Sequence, residues 1–403
     1  MINRGDIFSG WGIVFNGGDV DDGSDDWGDL IVNYEDAKIS TYAGINFSDS
    51  ERGTIDNRGT IEVGLDQTRQ IIFGVGNDRI INRSGGVINV KGNIRMGDGD
   101  DLILNDGVMA ATRGIDMGPG NDTVRLGGEC FSSDGKFSQC ITLDNGRFVD
   151  GGAGADMLEF SDESLASEIP FGVDASQQST SGRQLIAAAD VSGRYINFEN
   201  LIQGQGTYQY EGDFSEDFQR VILRDGVFVA RESSPAVFNT LELQEDATIV
   251  VGMINTTGDE VDQAPIVVTS QDSLGGFLYS GGNFVISADR QDDPDGTFFV
   301  IEGNVVNPDA LATQTSIVYD CDLNSSSCTQ QEFTGLGPTN GINTALRDAY
   351  LQEGSLQLVV SVKSPVDQFC DLYPSDPQCN SDDPDKPEPG PEPNPEPKPE
   401  PKP

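Results

Sequence analysis

The chain contains no histidine among its 403 residues, and it carries only two tryptophans and 24 basic residues against 67 acidic ones. The first absence removes whole reaction classes. A serine–histidine–aspartate relay cannot be assembled, nor can a zinc protease site built on histidine ligands. Neither Gly-x-Ser-x-Gly nor a Walker phosphate loop occurs in the sequence. The shortage of basic residues leaves a formal net charge of −43. A field of that sign repels nucleic acid and anionic lipid, so neither is expected as a partner. It also keeps copies of the chain apart, which predicts a soluble monomer. There is no run of about 18 apolar residues, so no membrane-spanning helix is expected. No secretory leader opens the chain. Met1-Ile2-Asn3-Arg4-Gly5 falls straight into a repeat pattern, which reads as the start of a fragment of a longer protein.

Cysteine is scarce and oddly placed. The six cysteines fall into neighbouring pairs: Cys130 with Cys140, Cys321 with Cys328, and Cys370 with Cys379. Sequential pairing would close three small loops and implies an oxidising compartment such as a periplasm. The alternatives are reduced core thiols or a zinc site, although no Cys-x-x-Cys spacing exists to support zinc.

What the chain has in quantity is glycine, 49 residues of it. Much of that glycine is periodic. Segments beginning at Asn57, Asn82 and Asn105 share one order: Asn-x-Gly, an alternating stretch such as Thr60-Ile61-Glu62-Val63, a second apolar patch, Gly-x-Gly-x-Asp, and a third apolar triplet. Looser copies start at Asn3 and Asn33, and a longer one runs from Gly127 to Phe160. A unit of roughly 20–25 residues suffices for three short strands with tight turns. Glycine and asparagine sit where the chain must bend, and branched residues recur at period two. One such coil cannot bury its own apolar face, whereas stacked coils can.

The expected fold is therefore all-β, a right-handed parallel β-helix with a C-terminal β cap and a disordered proline-rich tail. Residues 1–160 are assigned to regular coils, about six of them, with a loop insertion between Cys130 and Cys140. Residues 161–220 read as irregular coils. Residues 221–363 read as further solenoid and a cap, with only the stretch Ala345–Gly354 resembling a helical turn. Residues 364–403 form a clipped segment and then an alternation of proline and charge, which favours an extended polyproline spacer.

These parts together resemble the passenger region of Gram-negative autotransporters, the type V secretion family. The Asn-Arg-Gly-x-Ile step at Asn57 and the related step at Asn82 carry the resemblance, with the Gly-x-Gly-Asn-Asp steps at Gly74 and Gly118 and the linker from Asp382. The stretch Gly296–Val362 resembles the C-terminal passenger segment that aids folding in that family. The resemblance implies a signal peptide before the chain and an outer-membrane β-barrel after it, with export through the periplasm to the cell surface or beyond. It implies an adhesion or contact module whose partners are glycans or proteins of a host or neighbouring cell.

Two other functions compete with that reading. Gly-x-Gly-x-Asp is the turn of RTX-type calcium rolls, where aspartates and carbonyls surround a hard cation. The candidate calcium ligands are Asn77, Asp78, Asp98, Asp100, Asp101, Asn121, Asp122 and Asp156. Against this, the motif recurs once per coil rather than about every nine residues, and turn chemistry alone accounts for Asn and Asp there. The other competitor is a polysaccharide-active enzyme working through carboxylate pairs, for which Asp100, Asp101, Asp25 and Asp26 are candidates. Trp11 and Trp27 could stack on sugars, but they read better as caps on the first coils. Arg4-Gly5-Asp6 invites an integrin-binding reading. The match of its surroundings, INRGDI, to DNRGTI at Asp56–Ile61 instead marks it as a repeat turn.

Overall fold

The fold was taken from a computed structural model. It describes residues 1–15, 28–48, 52–65, 69–127, 130, 141–161, 184–231, 235–253, 264–270, 272, 275–288, 296–319, 329–340, 342–343, 347–352 and 356–362.

Three strands per turn build the first half. The first face comprises Ile2–Asn3, Asp29–Asn33, Gly53–Asn57, Arg79–Asn82, Leu102–Asn105, Thr123–Leu126 and Met157–Phe160. The second runs through Asp6–Ser9, Lys38–Thr41, Thr60–Val63, Val87–Val90, Val108–Ala111 and Ile141–Thr142. The third is made of two-residue strands, from Ile13–Val14 through Ile71–Ile72 to Tyr195–Ile196. Every pairing within these faces is parallel and joins a strand to its equivalent in the next coil. The expected parallel β-helix is the observed fold, with the third strand shorter than the sequence suggested.

Period-two alternation explains the burial. Ile31, Ile55, Ile80, Ile103, Val124 and Leu158 stack down the inside of the first face. Ile39, Ile61, Ile88, Met109 and Ile141 do so on the second, and Ile45, Ile71, Ile94, Ile115 and Val149 on the third. Like sits on like because each coil repeats the path of the last. Phe15, Phe47 and Phe73 show the repeat directly: their rings stack at 4.6 and 4.8 Å, within 5° of parallel. That separation is the spacing between hydrogen-bonded strands.

Asparagine holds the corner between the first and second faces. Asn3, Asn33, Asn57, Asn82 and Asn105 are buried in register. Each Nδ2 donates to the Oδ1 of the next, at 2.8–2.9 Å. The same amides also donate to turn carbonyls, among them those of Gly59, Gly86 and Val108. The next position in the column is Leu126. The ladder stops there, leaving Asn105 Nδ2 buried without a partner among the described residues. In the following coil the corner lengthens: Arg58–Gly59 and Asp106–Gly107 serve in earlier coils, but residues 127–140 separate Leu126 from Ile141. Cys130 is buried at the start of that excursion, its Sγ 3.6 Å from Asn105 O. Cys140, Cys321, Cys328, Cys370 and Cys379 lie outside the described residues, and so does the proline-rich tail.

The second half changes style. Asn200–Gln203 continues the first face directly above Met157–Phe160. The strands Arg220–Arg231 and Leu241–Met253 then run around what had been a corner. The first pairs with Asn200–Gln203 through one end and with Thr207–Asp213 through the other. Two faces thereby merge into one bent sheet, with an irregularity between Leu223 and Asp225 where the bend occurs. The core here is aromatic: Tyr208, Tyr210, Phe214, Phe228, Phe238, Phe277 and Phe284 are all buried.

Two features depart from expectation. The stretch Ala345–Gly354 is no helical turn: Arg347–Gln352 is a strand, antiparallel to Gln357–Val362 in a four-stranded sheet that also takes Gly296–Phe299 and Ile342–Asn343. Non-local pairing overrides the local helical preference of Ala, Leu, Arg and Gln. The two α-helices among the described residues, Ala188–Val191 and Pro308–Thr313, had no clear periodic signal, and both are too short to show one.

Candidate functional site

The residues singled out in the Gly-x-Gly-x-Asp steps meet at one corner of the helix, between the third face and the first. Successive copies lie directly over one another, with bridges Val75 to Asp98 and Pro119 to Ala153. Glycine is required by closeness as well as by turn geometry. At Gly97, φ is +112° and a Cβ would lie 1.9 Å from Gly74 O. At Gly118, φ is +100° and a Cβ would lie 1.8 Å from Gly97 O.

The acids and amides of this corner form two columns of opposite sense. In the outer, exposed column, the side chain of one coil receives the backbone of the next. Asp100 N donates to Asn77 Oδ1 at 3.0 Å, Asn121 N to Asp100 Oδ1 at 2.8 Å, and Ala155 N to Asn121 Oδ1 at 3.0 Å. In the inner column the direction reverses. Gly53 N donates to Asp78 Oδ1, Asp78 N to Asp101 Oδ1 at 2.8 Å, Asp101 N to Asp122 Oδ1 at 2.7 Å, and Asp122 N to Asp156 Oδ1 at 2.7 Å. Asp156 N ends the series on Glu199 Oε2 at 2.7 Å.

Asp78, Asp101, Asp122 and Asp156 are at most 2% exposed. Each uses Oδ1 as described, and each Oδ2 is buried with no hydrogen-bond partner among the described residues. An ionised carboxylate in that position loses its hydration without replacement. Burial accordingly pushes Asp78 up to about 6, against the pull of the Gly53 N–H and of Arg52. Asp101 is pushed up to about 8, first by burial and then by the charges of Asp78, Asp122 and Asp100. Asp122 rises to about 7 through burial, with Asp156, Asp100 and Asp116 adding to it. Asp156 is raised for the same reason, helped by Glu199 and Asp150.

The arrangement spreads the carboxylates along the helix axis and does not gather them. Asp100 points outward and its neighbour Asp101 inward, so the pair does not converge on one substrate position. Asp98 is exposed on the turn. Among the described residues, no group of three or more acids or cysteines is placed to hold a metal ion. Asp25 and Asp26 lie outside the described residues, as does Trp27. Trp11 does not cap the first coil: it is 92% exposed, on the turn leading to Ile13–Val14. Arg4-Gly5-Asp6 spans the first-to-second-face corner as the repeat implied, with Gly5 N donating to Asn3 Oδ1 and Arg4 packed over the Tyr34 ring at 4.7 Å.

Sequence reading missed that the second acid of each step is buried. The signal was present. Asp78-x-Ile80-x-Asn82 and Asp101-x-Ile103-x-Asn105 have strand periodicity, so an aspartate two residues before an inward isoleucine also faces inward. Reading the acids as turn chemistry stopped that count one position short.

No family model matches the chain, and no curated protein or solved structure matches it either.

Proposed function

We propose that the chain is the passenger region of an autotransporter, displayed at a bacterial surface or secreted, and that it acts as a contact module toward glycans or proteins of another cell. One observation carries the reading: among the described residues, the corner acids and asparagines are engaged with the backbone of the adjoining coil. That leaves the outward strand faces as the surfaces free for recognition among the described residues. A rod of this kind, bearing insertions at its corners, suits display at a distance from a membrane. In this reading the chain passes through the periplasm, the cysteines pair sequentially, and the acidic tail is a spacer to an outer-membrane β-barrel.

The test is expression of the full chain between a secretory signal and an outer-membrane β-barrel in a Gram-negative host. Surface protease accessibility, and retention of the cells on glycan arrays and epithelial monolayers, are then scored. Display with retention at least several-fold above the barrel alone is expected. Display of folded protein that retains nothing would remove the contact role, and release of cleaved sugars from the array would replace it with glycan chemistry.

A further inference from the structure

We propose that the inner aspartate column is a proton store: the chain takes up protons as it folds, and the regular coils are firmest in mildly acidic surroundings and loosen toward alkaline pH. The column is continuous through Asp78, Asp101, Asp122 and Asp156, one residue per coil and hydrogen-bonded coil to coil. The unpartnered Oδ2 atoms, buried in all four, are the places that bind the protons. Protonation removes four like charges from a line with the strand-to-strand spacing of ~4.8 Å, while each Oδ1 goes on accepting its backbone N–H.

Backbone N–H groups favour the ionised form at each step, but the charged side chains facing the column oppose ionisation with one exception. Asp101 sees Asp78, Asp122 and Asp100; Asp122 sees Asp156, Asp100 and Asp116; Asp156 sees Glu199 and Asp150. The exception is Arg52 beside Asp78, and Asp78 is raised less, to about 6, than Asp122 at about 7 and Asp101 at about 8. The sign follows from linkage. Folded values above the unfolded value mean the folded form holds more protons, so this stability is complete below about 4 and is lost as pH rises through about 6 to 8. The four groups titrate as a set, in macroscopic steps. Exposed carboxylates are already ionised above about pH 6, so the column's response is separate from general acidic repulsion.

The experiment uses the full chain, with denaturation midpoints followed from pH 5 to pH 9. Proton uptake on refolding at pH 7 is measured by calorimetry in buffers of different ionisation enthalpy. The expected uptake is about one to two protons per chain, with the folding constant falling about tenfold or more per pH unit between about pH 6 and 7. Asp101→Asn keeps an Oδ1 for the Asp78 N–H and removes the titration. It should flatten the pH profile and raise the midpoint at pH 9 above that of the parent. Asp144→Asn, a change at an exposed acid, should leave the slope as it is. Zero proton uptake by the parent, or an unchanged slope in a folded Asp101→Asn protein, overturns the proposal. Should Asp101→Asn not fold, the uptake measurement on the parent alone decides.

Discussion

The two halves of this molecule bury their interiors by different means. From Gly53 to Leu126 each coil closely repeats its predecessor, and the interior is a set of columns: isoleucine on isoleucine, asparagine on asparagine, aspartate on aspartate. From Thr207 onward the coils are unequal, and large rings fill the interior. Tyr210 alone has ring contacts with Phe214 at 5.6 Å, Phe228 at 5.4 Å and Phe238 at 6.1 Å, mostly edge to face. Column stacking fixes register, because a slipped coil breaks every amide ladder at once. Aromatic packing fixes volume and tolerates unequal coils, since the rings need neighbours but not identical ones.

That contrast can be attacked at chosen residues, with hydrogen exchange resolving the halves. The largest effect is expected from Gly97→Ala. A Cβ 1.9 Å from Gly74 O, on a backbone with φ of +112°, has no flexible side chain to push aside. A loss of about 4–5 kcal/mol, with exchange protection failing around Asn77 to Asp122, is expected. Phe238→Ala should cost about 3–4 kcal/mol by leaving a cavity beside Tyr210 and Phe228. Its loss of protection should be confined to the second half, and spread of that loss through the first half would break the distinction. Asn82→Ala should cost about 2–3 kcal/mol, because the carbonyls of Gly86 and Val108 and the Oδ1 of Asn105 lose their donor. A melting curve unchanged by it would show that the ladder does not hold the corner. The smallest effect belongs to Arg83→Ala. Its guanidinium pairs with Asp56 at 2.7 Å but is well exposed, so less than about 0.5 kcal/mol should be lost.

The difference between the halves also decides how much could be read in advance. Column stacking writes itself into sequence, because the same residue type must return at each coil. Asn57, Asn82 and Asn105 announced the coils, and Gly74, Gly97 and Gly118 marked one corner. Volume filling leaves no such record: Phe228, Ile249 and Phe284 share one column without sharing an identity. The antiparallel sheet around Arg347–Gln352 was hidden for a related reason: that strand pairs with Gln357–Val362, which pairs in turn with Gly296–Phe299 from far back in the chain. At the candidate site, the acids were legible as residues but not as two columns. Telling them apart required carrying the inward count of the strand back into the turn.

The opposed columns at that corner have a consequence for how such a chain can change length. Each coil offers the coil on one side an acceptor from its inner aspartate, and the coil on the other side an acceptor from its outer Asn or Asp. A duplicated coil carrying both residues presents to its neighbours the same two acceptors and two N–H groups as the parent. Gene duplication or deletion in whole coils therefore needs no compensating change elsewhere in the corner. The first half is a ruler graduated in coils, and its reach can be reset by recombination without redesign of its interior.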